Sequence, residues 1–358
     1  MARYRLGSIC QIISGSTPKT GVQEYWNGDK KWITPAELSE SDYIIYDTER
    51  KLTEAGVRSA GLTPLPKGTV ILSSRAPIGK VAIAGCEMYC NQGFKNFVCS
   101  NIINNKYLYW YLKSKTDFLN SLGRGATFKE ISKSTVADIE LDIPELSEQS
   151  KRVAHLEKIQ SIIASRRVQL TKLDELVKCR FVEMFGVIIP DNTYVKLGDV
   201  CDIERGGSPR PIANYITNED NGINWIKIGD TTTDRYIRSA AEKIRPEGAR
   251  KSRFVYEGDL LLSNSMSFGH PFILKINGCI HDGWLVLHFE KSILNTIYLQ
   301  SYLSMPEVYN IFSNMAVGGV VNNLNKDMVK KLPILVPPMS LQEKFETFVQ
   351  RIDKLRFK

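Results

Sequence analysis

The sequence predicts a chain of the α+β class, built from two copies of one mixed α/β unit joined by a long helix. Three observations carry that prediction. Matching residues recur at a separation that drifts only between 190 and 193 positions. Inside each copy, short β-branched runs alternate with Gly, Pro and Ser turns. Between the copies, the residues from Ser147 to about Phe185 contain neither Gly nor Pro.

The repeat is legible residue by residue. Leu6, Gly7, Cys10, Ile12, Gly15 and Pro18 are answered by Leu197, Gly198, Cys201, Ile203, Gly206 and Pro209. Trp32-Ile33 returns as Trp225-Ile226, Gly68 and Leu72-Ser73 as Gly258 and Leu262-Ser263, and Asn91-Gln92-Gly93-Phe94 as His281-Asp282-Gly283-Trp284. Late in each copy, Ile143-Pro144 and Ser147-Glu148-Gln149 are answered by Val336-Pro337 and Ser340-Leu341-Gln342.

Taken in order, Thr69–Leu72 and Val81–Ala84 are expected strands, mostly in antiparallel pairings, and Lys106–Leu112 is an expected helix with its counterpart at Ile297–Leu303. From Ser147, placed to act as N-cap, a single long helix follows. Leu156, Ile163, Leu170, Val177 and Met184 recur at spacing seven, with Ile159 and Leu173 between them, as the seam of a coiled coil requires. Arg166 and Arg180 occupy the remaining inner positions. After Pro337-Pro338 a second Gly- and Pro-free segment carries Phe345, Val349, Ile352 and Leu355 and supplies the obvious partner. Aligning the copies sets Lys358 level with Ser165, so Arg166 to Phe185 has no counterpart. The expected division is 1–145, a helix over 146–186, a second unit over 187–339, and a shortened helix over 340–358.

Composition excludes several classes. No run approaches the roughly 18 apolar residues of a spanning helix, so no membrane role is expected. The opening MARYRLGSIC lacks the apolar stretch of a secretory signal, and seven scattered cysteines suit reduced thiols in the cytoplasm. The net charge of +8 is a modest bias toward polyanions, and neither large segment is uniformly basic, so nucleic-acid binding must rest on local patches.

Catalytic readings fail in turn. The only Gly-Lys, Gly79-Lys80, is followed by Val81 rather than the Ser or Thr of a phosphate loop. Val336-Pro337-Pro338-Met339 lacks the polar first residue and the aromatic of an amino-methyltransferase site. Cys86, Cys90 and Cys99 find no fourth zinc ligand at a usual spacing, and His155, His270, His281 and His288 form no paired cluster. A metal-dependent nuclease using Asp42 (or Asp29), Glu49 and Lys51 has only the Glu-x-Lys spacing in its favour, and the second copy has no matching triplet. No catalytic residue, metal or cofactor is therefore assigned to this chain. Cys10 and Cys201, at equivalent positions beside apolar residues, suit core thiols.

The order Gly15-Ser16-Thr17-Pro18, then Leu72-Ser73-Ser74-Arg75-Ala76-Pro77-Ile78-Gly79, then Asn91-Gln92-Gly93-Phe94, then Gly125-Ala126-Thr127, then Ile143-Pro144 leading into a long helix, resembles the specificity subunit of type I restriction-modification enzymes. The resemblance spans essentially the whole chain, twice. It implies two target recognition domains joined by long helices that pair as an antiparallel coiled coil. It also implies that each domain reads half of a split site in double-stranded DNA, and the differing loops Arg75-Ala76-Pro77 and Ser265-Met266-Ser267 lead one to expect that site to be asymmetric. Partners would be two methyltransferase subunits, which carry S-adenosylmethionine, and restriction subunits, with self-association a further option.

Base edges need amide or guanidinium donors, whereas phosphates need cations, hydroxyls or backbone N–H groups. On that ground Ser16, Thr17, Lys19, Arg75, Lys95, Arg124, Thr127 and Lys129 are the expected DNA contacts in the first copy. Arg205, Ser208, Arg210, Asn264, His281, Asn322, Asn323 and Lys326 are their equivalents in the second. The run from Arg235 to Arg253 is a candidate phosphate track. For the helices, Leu156, Ile163, Leu170, Leu173, Val177, Met184, Val349 and Ile352 are the expected interface residues. The part from about Leu170 to Met184 is expected to be covered by a methyltransferase subunit, a second copy, or residues after Lys358. The competing reading is a scaffold or adaptor that uses the helical arm and never meets DNA.

Overall fold

The run Thr69 to Leu72 is apolar on both sides of its pleat, as a central strand must be, and strand Val70–Ser73 is buried at every position. It sits mid-sheet in the order Cys10–Ser14, Phe94–Cys99, Val70–Ser73, Val81–Ala84, Ile44–Ile45. The computed structural model describes residues 2–75, 77–125, 129–188, 193–265, 268–316 and 323–356. It divides into two compact units, Met1–Ser165 and Arg166–Lys358. The second repeats the sheet in the same order: Cys201–Arg205, Trp284–Phe289, Leu260–Ser263, Pro271–Leu274, Tyr236–Ile237.

Most pairings are antiparallel, as the turn-rich sequence leads one to expect. Four are parallel. Ile44–Ile45 and Tyr236–Ile237 run parallel to their neighbours, and Trp32-Ile33 and Trp225-Ile226 pair in parallel with Tyr89-Cys90 and Cys279-Ile280 in a second, smaller sheet. In all four cases more than two dozen residues separate the paired segments, room enough for the crossover that a parallel pair requires.

A helix covers one face of each main sheet. Asn104 and Asn295 accept hydrogen bonds from the first free N–H groups of helices Asn105–Lys113 and Thr296–Leu303. The matched glutamines explain why the chain leaves each unit where it does. Gln149 is fully buried; its Oε1 accepts from Asn104 N and its Nε2 donates to the carbonyls of Ile102 and Pro144. Gln342 repeats all three bonds with Asn295 N, Ile293 O and Pro337 O.

The long helix runs Leu146–Phe185, 40 residues, and so about 60 Å at 1.5 Å per residue. Ser147 lies inside it and is not the N-cap; Gln149 N donates to Glu145 O, so the first turn opens two residues earlier. The first part of the helix belongs to unit 1, where Glu157 accepts hydrogen bonds from Tyr43 and Lys106, each at 2.7 Å. Its last part belongs to unit 2. There helix Met339–Arg356 lies antiparallel to it: Phe345 packs on Phe181 and Phe185, while Arg166 donates to the carbonyls of Leu355 and Arg356.

This pairing corrects the expected position of the uncovered stripe. Val177 and Phe181 are buried within unit 2 against Tyr298, Tyr302, Phe345 and Val349, with Leu173 and Met184 half-buried beside them. The exposed residues of the stripe are instead Leu156, Ile159 and Ile163. The repeat offset compares equivalent residues in two copies, but in an antiparallel pair the end of one helix meets the middle of the other. No described helix is long and apolar enough to cross a membrane.

Candidate nucleic-acid interface

The first unit gathers four loops at one end of its main sheet. Gly15 is obligatory, because a Cβ there would lie 2.0 Å from Cys90 O and 2.3 Å from Asn91 O. That close approach holds Ser16 N on Cys90 O at 3.1 Å, and Trp32 Nε1 donates to Ser16 O at 3.1 Å. Thr17 Oγ1 then donates to Gln92 Oε1 at 2.5 Å. The Asn91–Phe94 loop closes on itself through Gly93 N to Asn91 Oδ1, and it reaches the third loop through Ser74 N to Gly93 O. Ile131 N to Ser74 O adds the fourth.

The second unit repeats this frame with different chemistry. A Cβ on Gly206 would meet His281 O at 2.1 Å, Asn264 N donates to Gly283 O at 2.9 Å, and Leu324 N to Asn264 O at 2.9 Å. Ser208 takes the place of Thr17 and donates to Asp282 Oδ1 at 2.8 Å. Asp282 also collects Arg205 Nε on its main-chain oxygen and Arg210 on its carboxylate at 3.5 Å. Chiefly through the Ser208 hydroxyl, its carboxyl is held below the usual carboxylate range. Gly283 N lies 2.6 Å from His281 Nδ1 and Ile228 N 3.2 Å from its Nε2, and the one bare nitrogen of a neutral ring accepts from the nearer, Gly283. Burial, its largest influence, pushes the imidazole pKa down, which keeps the ring neutral and able to accept.

The residues named from sequence fall into distinct groups. Ser16, Thr17, Arg75, Arg124 and Lys129 lie on the converging loops of unit 1, with Arg75 and Arg124 both bridged to Glu130 through the main chain, and Lys19 is exposed just beyond Pro18. Lys95 is different: it is only 6% exposed, and its ammonium is spent on Ser74 Oγ and Glu130 Oε1, each at 3.2 Å. Its place is beneath the loops, where it fixes Glu130. In unit 2, Arg205, Asn264, Asn323 and Lys326 line one cleft of about 620 Å³, together with Arg253 and the carboxylates of Asp202, Glu204 and Asp327. Asn264 is buried, its Nδ2 on Asp282 O. Thr127 and Asn322 lie outside the described residues.

The basic run of unit 2 is no continuous track. Arg235 is buried against Asp353 of the terminal helix, Arg238 pairs with Asp234, Arg245 with Glu219 and Arg253 with Glu204. The nuclease triad also dissolves. Glu37 accepts from the backbones of Thr34 and Glu49, Asp42 from Ser39 N, and Lys51 pairs with Asp47 rather than Glu49. Among the described residues no group of three or more ligating side chains could hold a metal ion.

Sequence reasoning missed Gln92 and Asp282 as organisers of the two sites. Their equivalence in the repeat was the available signal.

Against this geometry the comparisons decide the family. The model described as "Type I restriction modification DNA specificity domain" matches residues 1–174 and again 190–357. The chain belongs to that family. It is 35% identical to the type I restriction enzyme MjaIX specificity subunit of Methanocaldococcus jannaschii, over 97% of this chain and 85% of that protein. It is 27% identical to the EcoDI specificity subunit of Escherichia coli, over 71% of this chain and 63% of that one.

Among solved structures, the S subunit of a type I restriction-modification system from M. genitalium shares the fold with a TM-score of 0.55 at 15% identity, over 99% of this chain and 90% of that one. A chain from a study of complex assembly in the type I R-M system gives 0.59 at 19% identity, with the same coverages.

Proposed function

We propose that this chain is the non-catalytic, DNA-reading subunit of a type I restriction-modification enzyme, with each unit reading one half of a split, asymmetric target. One observation carries the reading. Two copies of the same loop frame, closed by the same main-chain bonds through Ser74 and Asn264, present different side chains: Thr17, Gln92 and Glu130 in one, Ser208, Asp282 and Asn323 in the other. A shared frame with divergent contact chemistry suits two half-sites of unlike sequence. The methyltransferase subunits, which would bring S-adenosylmethionine, dock on the exposed stripe from Leu156 to Ile163, and restriction subunits join that complex. The scaffold and nuclease readings have no comparable support.

The test is co-expression with a cognate methyltransferase subunit, followed by mapping of methylated bases across the genome. Exchanging residues 1–145 for those of a relative should change one half of the methylated motif and leave the other intact. A change in both halves, or in neither, would overturn the assignment. Salt supplies a second test: a DNA reader loses affinity steeply as salt rises, whereas an apolar adaptor contact does not.

A further inference from the structure

One pair of thiols stands apart from the reading site. Strands Cys10–Ser14 and Phe94–Cys99 are antiparallel, with Cys10 directly opposite Cys99. Ser100 N donates to Ile9 O at 3.0 Å, which makes Cys10 and Cys99 a non-hydrogen-bonded pair of the ladder. Such pairs bring their Cα atoms to about 4.5 Å, within the range of about 4.4–6.8 Å that a disulfide spans. Both side chains lie on the same face of the sheet, Cys10 within one apolar cluster and Cys99 packed against it.

Access is one-sided. Cys10 is 5% exposed in the core, whereas half-buried Cys99 lines a surface cleft of about 320 Å³ shared with Lys67, Thr69, Ser100, Asn104 and Asn105. The second unit has no such pair, since Cys201 faces Phe289.

We propose that Cys10 and Cys99 form a thiol–disulfide modification site whose oxidant is a low-molecular-weight disulfide entering the cleft. Cys99 attacks first as a thiolate, forming a mixed disulfide and releasing one equivalent of small thiol. Cys10 then loses its proton and attacks the Cys99 sulfur, displacing the second equivalent. In sum, two protein thiols are oxidised to one cross-strand disulfide, one small disulfide is reduced to two thiols, and no other reagent is consumed. The order follows from the environment. The two thiols act on each other: Cys10 is the main influence holding Cys99 below the ordinary thiol value, and Cys99 the main influence pushing Cys10 above it. Once Cys99 is capped, the main cause of the Cys10 elevation is gone.

The site is independent of the DNA-reading proposal, and its test needs neither DNA nor partner. The full chain is incubated with oxidised glutathione and digested without reduction, and its peptides are mapped by mass spectrometry. A linked pair of peptides containing Cys10 and Cys99, reversed by dithiothreitol, is expected. Cys10→Ser should hold glutathione on Cys99, Cys99→Ser should leave Cys10 unmodified, and Cys201→Ser should behave as the parent. Circular dichroism checks that each variant folds, and the parent's peptide map does not depend on them. If Cys10 and Cys99 stay reduced at a concentration that modifies exposed Cys179, or if the parent retains glutathione on Cys99 without linkage, the proposal is wrong.

Discussion

Replacing Phe181 with Ala asks whether the end of the long helix is an arm or part of a core. Its ring is 1% exposed and meets four others: Phe185 at 4.9 Å, Phe345 at 5.5 Å, Tyr298 at 5.6 Å and Tyr302 at 6.2 Å between centroids. Truncating a buried Phe costs about 3–5 kcal/mol, and loss of several ring contacts places this site toward the upper end. In a unit of this size each kcal/mol moves the melting midpoint by about 2–4 °C, so a fall of about 10–15 °C is expected for unit 2 alone. Ile163→Ala, at a site 48% exposed, should move it by less than about 2 °C.

Hydrogen exchange read by mass spectrometry separates the units, because strand Trp284–Phe289 reports one and strand Phe94–Cys99 the other. Equal deprotection of both strands, or a midpoint shift no larger than that of Ile163→Ala, would refute the placement of Phe181 in a core.

Three further outcomes are expected. Lys129→Ala should flatten the dependence of log affinity for DNA on log salt by about 0.9, whereas Lys95→Met should weaken binding without changing that slope, since its ammonium is committed to Glu130; parallel titrations at several salt concentrations distinguish them. Ile159→Asp with Ile163→Asp should abolish assembly with a methyltransferase subunit on gel filtration while leaving circular dichroism unchanged, because both side chains are exposed in the free chain. Protonation of His281 removes its one acceptor nitrogen, and its pKa is lower folded than unfolded. Unit 2 should therefore keep its stability above the unfolded value near 6.5 and lose it as pH falls below that, and His281→Asn, the residue found at position 91, should remove this slope in pH-dependent melts.

What could be read from the sequence was whatever the repeat states twice. Gly15 and Gly206, Gln149 and Gln342, and the strands around Val70 and Leu260 stand out because both copies need them for the same contact. Contacts set by distant parts of the chain were not readable. Thr17 finds Gln92 across 75 positions, and Lys95 looks like any basic residue beside a loop until the sheet buries it. The heptad spacing picked out Val177 but not Phe181, the most buried ring of the helix, because periodicity says only which residues share a face. Which stretch of that face is covered depends on where an antiparallel partner ends, and here it ends beside Arg166.

The buried glutamines at the roots of the two helices have a consequence for how such chains change. Every bond made by Gln149 and Gln342 ends on a main-chain amide or carbonyl. The anchor therefore asks nothing of the side chains in the globular part it grips, only that two loops pass at the right height. Any domain that supplies those loops keeps these bonds, so recombination just upstream of the glutamine leaves the anchor itself intact. The joint works as a standard coupling, which leaves the loops at the far end of the sheet free to diverge.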